Sequence, residues 1–345
     1  MSNAILIYFL LSFIVLFIFG KMSYSLNLVD IPNKRKIHSK ATAYTGGIAI
    51  SVILLFAIIL FDDFNKSLSS ILSIAFLISI VGLIDDKYHL NIGSKLSLQI
   101  VPIFYLVIFE NLTLNQIGDY NYFKLELGAF AIPFTFLSVL FLINAFNYFD
   151  GVDGVLGSTS ISVFVILYFL VFKHNTHYLV NEQNIQFFLI VLIIPLIVFL
   201  FFNFSFFKIP KIFLGDGGSL LLGFIVSFIL IYFASQNFIH PILLAWSIVI
   251  FVYEFLSINI IRLKNKQELF KAGQDHMHHI LLKKTNSIFL TNFLMSVTNI
   301  ILFAIGYLSY LLINQLASLI LFIAFFVVFL FYRNIYSKKY LIKKI

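Results

Sequence analysis

The chain has 345 residues, 61% of them hydrophobic and only 11% charged, with a mean hydropathy of +1.02 and a formal net charge of +8. An ordinary soluble domain is excluded, because these residues cannot supply its polar surface. The absence of cysteine excludes disulfides, thiolate metal sites and cysteine nucleophiles, and the positive charge reads as basic loops on one membrane face rather than as nucleic-acid binding.

A spanning helix needs roughly 20 apolar residues. Eleven segments read as spans: 4–24, 46–61, 68–84, 96–110, 129–146, 158–172, 186–203, 217–234, 240–261, 289–313 and 316–332. The first has no basic leader region and no small-residue cleavage site, so a retained helix is expected rather than a signal peptide. Behind it, Asp30-Ile-Pro-Asn-Lys-Arg-Lys-Ile-His38, followed by Gly46-Gly47, is a basic loop suited to lipid headgroups or to a bound phosphate. Asp62-Asp63 follows the second segment and Asp85-Asp86 closes the third. Adjacent aspartates suit a hard cation such as Mg²⁺, or a carboxylate held ready as a base; solvated acids at a helix end are the plain alternative. The stretch 111–128 alternates polar and apolar residues between turn formers and predicts a short hairpin.

Asn144-Ala-Phe-Asn-Tyr-Phe-Asp-Gly-Val-Asp-Gly154 closes the fifth segment. Asn144 and Asn147 lie inside the apolar run, where buried amides need partners. Asp150 and Asp153, each followed by glycine, would share a face if helical, or would form two Asp-Gly turns linking helices. Such polar backbone at membrane depth is tolerated only against protein or a water-filled cavity. Phe213-Leu-Gly-Asp-Gly-Gly-Ser219 opens the eighth segment. Free backbone N–H groups there suit an anion and the carboxylate a cation; alternatively Asp216 or Ser219 is an N-cap. Asp275-His-Met-His-His279 crowds three histidines into four residues, too tightly for a complete tetrahedral zinc site, and also suits phosphate oxygens or a sugar.

Lysine and arginine orient the spans. With the N-terminus outside, the inner segments and the tail carry 19 basic residues and the outer segments carry three, Lys66, Lys124 and Lys173. The C-terminus is then cytoplasmic, and Asp85, Asp86, Asp150, Asp153, Asp216 and the histidine run share the inner face, whereas Asp62-Asp63 is outside. No internal repeat or linker divides the chain. The expectation is one all-α domain over 1–345, a polytopic integral membrane protein with about eleven transmembrane helices.

In this order these motifs resemble the polyprenyl-phosphate N-acetylhexosamine-1-phosphate transferase family, which includes undecaprenyl-phosphate GlcNAc-1-phosphate transferases and the phospho-MurNAc-pentapeptide transferase. The resemblance runs from the Pro32-Asn-Lys-Arg-Lys-Ile-His38 run to the histidine loop. It implies an inner-membrane enzyme facing the cytoplasm that joins a sugar phosphate from a UDP-HexNAc to polyprenyl (undecaprenyl) phosphate, releases UMP and starts a cell-envelope glycan. It implies Mg²⁺, with Mn²⁺ as an alternative ion, and the lipid bilayer, not nucleic acid, as surroundings; the oligomeric state stays open, a homodimer among the alternatives. By the same resemblance Asp216 matches the metal ligand, and Asp85 and Asp86 the aspartate pair assigned to acceptor activation or to metal and phosphate organisation. Asn147, Asp150 and Asp153 match the nucleotide-site motif, and Phe213 the aromatic that stacks on uracil. His276, His278 and His279 match the loop at the sugar and diphosphate end, and Arg35, Lys36 and His38 the first basic loop. Many bacterial relatives carry Asp-Arg where this chain has Gly273-Gln274, which removes a bidentate phosphate contact. The pentapeptide branch carries three consecutive histidines, which this chain lacks.

Two other classes fit the sequence less well. A secondary transporter would place its binding groups near the bilayer midplane, often in repeats; here carboxylates gather at one set of helix ends. An alcohol phosphotransferase carries a longer aspartate spacing than this chain shows.

Overall fold

Asn65 and Asn91 each accept a hydrogen bond from a backbone N–H three residues on, Leu68 and Ser94, both at 2.9 Å. These caps start the helix that carries Asp85-Asp86 near its end and the helix that follows it. The computed structural model describes residues 2–32, 40–61, 64–173, 182–268, 273 and 275–342. In chain order the helices are α1 (Ser2–Ser25), α2 (Gly46–Leu60), α3 (Lys66–Tyr88), α4 (Ile92–Phe104), α5 (Ala131–Phe149), α6 (Val155–Lys173) and α7 (Glu182–Asn203). They continue with α8 (Gly215–Ser235), α9 (Pro241–Ser247), α10 (Val249–Lys264), α11 (Met277–Thr285), α12 (Ile288–Leu312) and α13 (Gln315–Ile342).

Each of the eleven expected segments falls on helix, and the chain is an all-α, multi-pass membrane protein. Among the described residues nine helices are long and apolar enough to span a bilayer. The segment 46–61 forms the shorter α2, of 15 residues. The segment 240–261 is broken into α9 and α10, bent by 75°. Asn299 on α12 explains how that break is tolerated. Its amide donates to the Ser247 carbonyl at 3.0 Å and to Ser162 Oγ at 3.2 Å, and its carbonyl accepts from Ile250 N–H at 3.5 Å. Backbone groups freed at a kink inside a membrane need such a partner. In α4, Pro102 lacks an N–H, and the helix loosens into a π turn over Tyr105–Phe109.

Strands are few. The expected hairpin forms from β3 (Gln116–Asp119) and β4 (Lys124–Glu126), paired antiparallel. A second pair, β1 (Val29–Asp30) with β2 (Thr42–Ala43), brackets the basic loop. The chain after β2 is stitched to the segment before α8: Phe213 N–H donates to the Ala43 carbonyl at 2.7 Å, Gly46 N–H to Phe213 at 3.0 Å and Gly47 N–H to Leu214 at 2.8 Å.

Helix α8 is the centre of the bundle, buried along nearly its whole length against α2, α3 and α5. Hydrophobicity does not press helices together in lipid; close backbone contact does, and it needs small residues. A Cβ on Gly47 of α2 would lie 1.9 Å from Gly218 N, and one on Gly82 of α3 would lie 2.4 Å from Asp216 O and Gly217 N. Those two glycines bring the ends of α2 and α3 onto the first turn of α8, and with them the acidic residues.

Candidate active site

Four elements build the centre of the site: the end of α3, the start of α4, the end of α5 and the start of α8. Lys95, one turn into α4, places its ammonium 2.6 Å from Asp85 Oδ2 and 2.6 Å from Asp216 Oδ2. Asp85 Oδ1 accepts from Leu90 N–H at 2.9 Å, so the left-handed turn at His89, with φ 51°, folds the chain back over the carboxylate. Asn147 donates from Nδ2 to Asp216 Oδ1 at 3.0 Å and to Ser219 Oγ at 2.9 Å, which gives that amide the partner it needs. Asp86 Oδ2 accepts from Gly217 N–H at 3.4 Å.

The start of α8 therefore differs from both sequence readings. Neither Asp216 nor Ser219 is the N-cap: the helix begins after Leu214, with Asp216 in its first turn and Ser219 just beyond it. The chain enters through Gly215 at φ 72°, where a Cβ would sit 2.6 Å from Asp86 Oδ2. One N–H of that turn already has an acceptor, Oδ2 of Asp86.

Asp150 and Asp153 do not share a helix face. Helix α5 ends at Phe149 and residues 150–154 turn, so the two carboxylates face different partners. Asp153 pairs with Lys211 at 2.5 Å, and the Lys211 ammonium lies 5.0 Å from the centre of the Phe213 ring. Asn292 of α12 holds the Asp153 carbonyl at 2.8 Å. Asp150 stays near Asp216 and Asp153; burial, then Asp216, then Asp153 push its carboxyl up to about 8, so it carries a proton at neutral pH.

The histidine loop closes over this turn. A Cβ on Gly151 would meet His278 Nε2 at 2.3 Å and His279 Nε2 at 2.8 Å, so only glycine lets the two imidazoles approach. His276 and His278 stack at 5.3 Å with planes 8° apart, and His278 and His279 lie 4.5 Å apart. His278 is fully buried, and neither ring nitrogen has a hydrogen-bond partner among the described residues. Burial holds both rings neutral: it drives His278 well below the usual histidine range, and with the charges of His276 and Lys283 it brings His279 to about 4. Neutral imidazoles present one donor and one acceptor each.

Asp85, Asp86, Asn147 and Asp216 thus come together, Asp150, Asp153 and Phe213 line the same region, and His278 and His279 face its turn, with His276 stacked on His278. Arg35, Lys36 and His38 lie outside the described residues, as do Asp62, Asp63 and Gln274. Sequence reasoning missed Lys95, Lys211, Glu254, Arg262 and Arg333. Lys95 stands ten residues after Asp85, a spacing that a turn and one helical turn would bring back to the acids. The others had no local signal.

The resting site carries a testable electrostatic consequence. For a carboxyl raised to about 8, the unfolded chain holds fewer protons than the folded one between about pH 4 and 8, so stability falls as pH rises through that window. In EDTA, the stability of wild type to thermal unfolding should weaken from pH 5 to pH 9, with Asp150 contributing at most about 4 kcal/mol. Asp150→Asn should flatten that dependence and raise the melting temperature at pH 9 while turnover drops. Superimposable pH profiles for the two proteins would contradict it.

A multi-pass helical membrane protein that gathers five carboxylates and two lysines at one end of its bundle is the class that fold and site define. Residues 68–234 match the family described as glycosyl transferase family 4. The chain is 26% identical over 287 residues to an undecaprenyl-phosphate alpha-N-acetylglucosaminyl 1-phosphate transferase of Yersinia pestis, covering 82% of this chain and 77% of that one. The same enzyme of Escherichia coli strain K12 is 25% identical, covering 82% and 76%. A probable undecaprenyl-phosphate N-acetylglucosaminyl 1-phosphate transferase of Bacillus subtilis strain 168 is 26% identical over 296 residues, covering 82% and 79%. Over 82% of its length the chain is thus similar to sugar-1-phosphate transferases that act on undecaprenyl phosphate.

Proposed function

We propose that this protein transfers a HexNAc-1-phosphate from a UDP-sugar to undecaprenyl phosphate, giving undecaprenyl-diphosphate-HexNAc and UMP, with its site on the cytoplasmic face of the inner membrane. The observation that carries the reading is the meeting of Asp85 and Asp216 on the Lys95 ammonium, with Asn147 on Asp216 and Asp86 on the Gly217 N–H beside them. Two phosphates must approach each other in this reaction, so the first task is to lower their mutual repulsion. The acceptor phosphate is largely ionised at neutral pH and needs little help from a base. Its oxygen forms the new bond to the sugar-bearing phosphorus as the bridging P–O bond breaks and UMP leaves.

The donor set fits Mg²⁺ in its chemistry: carboxylate oxygens are hard ligands, and Lys95 stands between Asp85 and Asp216 as a cation. No group of three such side chains surrounds one ion position among the described residues. We place the ion on Asp216, with Asp85 and Asp86 beside it, where it would neutralise the phosphates. Asn147 fixes the Asp216 carboxylate, and Lys95 is placed to contact a phosphate oxygen. We assign Phe213, with Lys211 on its face, to the uracil, and the histidine loop, with its neutral His278 and His279, to the sugar diphosphate.

The test is UMP release by full-length protein with undecaprenyl phosphate, Mg²⁺ and a panel of UDP-HexNAc donors. Turnover with one donor is expected and would identify the sugar. Silence across the panel, with a working control enzyme, would reject the reading and make substrate transport the next assay.

A further inference from the structure

From Gln315 to Ser337, Arg333 is the only charged residue of α13, the helix that most exposes its apolar side chains. Its neighbours Phe331 and Tyr332 point outward, whereas Arg333 is buried, 7% exposed, and points into the bundle. There it donates to Glu254 Oε2 on α10 and to the Asp275 carbonyl of the histidine loop. Glu254 is 1% exposed and divides its two oxygens. Oε2 takes Arg333; Oε1 accepts the Met277 N–H at 2.9 Å and lies 3.5 Å from His276 Nδ1. Arg262, also on α10, holds the Asp275 carboxylate at 3.0 Å. Two transmembrane helices thus grip three consecutive residues, Asp275, His276 and Met277, immediately before His278 and His279.

Burying an arginine and a glutamate exacts a desolvation penalty that their mutual attraction only partly repays, so such a pair is weak evidence of added stability. What this one does is fix an orientation. With Oε2 occupied, Oε1 is left to face the first N–H of α11 and His276. We propose that Arg333 is a positioning residue: through Glu254 and the Asp275 carbonyl it sets the histidine loop against Gly151, and so acts on the nucleotide-sugar donor and not on the lipid acceptor. The inference rests on the transfer reaction proposed above for its kinetic part and on the geometry alone for its structural part.

Removing Arg333 alone would leave Glu254 buried and uncompensated, which can unfold the protein. The informative variant is therefore the neutral pair Glu254→Gln with Arg333→Gln, beside Arg333→Lys, both in full-length protein in liposomes containing undecaprenyl phosphate. The donor KM is expected to rise about tenfold, and the undecaprenyl-phosphate KM to stay within about twofold, in the neutral pair, with partial recovery in Arg333→Lys. Hydrogen exchange should quicken at the amides of residues 276–285 and stay unchanged across Gly215–Ser235. Wild-type donor KM with wild-type exchange in the neutral pair would overturn the proposal, as would equal losses for both substrates. Should wild type itself release no UMP, the transfer reading fails, and exchange alone decides the brace: faster exchange in 276–285 sustains it and unchanged exchange rejects it.

Discussion

Asp216→Asn is expected to lower UMP release on the order of 10³-fold while leaving the protein inserted and folded. Asparagine keeps the shape of the side chain and still fills the first turn of α8, so packing against α2 and α3 is retained. What disappears is the charge that Lys95 meets at 2.6 Å; the one oxygen that remains can still accept from Asn147, which meets Oδ1 of Asp216 at 3.0 Å. Lys95 is then left with Asp85 alone, and the cation proposed for this site would lose one of its anionic oxygens. Removal of Mg²⁺ with EDTA should bring wild type to a similar floor and added Mg²⁺ should restore it, whereas the variant should respond to neither. Turnover within about tenfold of wild type would remove Asp216 from the chemistry, since even one preorganised polar contact is commonly worth more.

Gly82→Ala should be nearly as damaging, although Gly82 carries no chemistry. The added methyl would lie 2.4 Å from Asp216 O and Gly217 N, which are backbone atoms and cannot rotate away. Helices α3 and α8 must separate at the point where one carries Asp85-Asp86 and the other Asp216. The hydrogen bond from Gly217 N–H to Asp86, 3.4 Å long already, should break. A displacement of about 1 Å at reacting groups costs on the order of 10²-fold in rate. Gly93→Ala is the control: its methyl would meet only the Asn91 side chain, at 3.4 Å. Comparable kinetics for the two variants, at equal membrane levels, would show that the close approach of α3 to α8 does not hold the site.

Much of this protein is legible in its residues because the bilayer imposes length. Apolar runs of spanning size fall on helices throughout, and turn formers bounding alternating residues give the 116–126 hairpin. The motif residues could be placed near one another because spans alternate between two faces. The break between α9 and α10 was hidden: the run 240–261 is uniformly apolar, and what permits the bend is Asn299, some fifty residues later. Asp150 and Asp153 kept two readings open because spacing alone does not say whether a Gly-rich segment continues a helix. The structure ends α5 at Phe149, and the two acids part.

By itself, then, the sequence determined the helical membrane architecture and the set of acids, amides and histidines from which the site is made, since both follow from local composition and spacing. Only the tertiary structure decided which side chain neutralises which. Lys95 between Asp85 and Asp216, Lys211 on Asp153, and Arg333 on Glu254 join residues as far apart as 121 positions. A lysine or arginine in a sequence looks alike whether it faces headgroups or a buried carboxylate. The difference is set by where glycine contacts let helices close together, and in this chain by Gly47 and Gly82 against the first turn of α8.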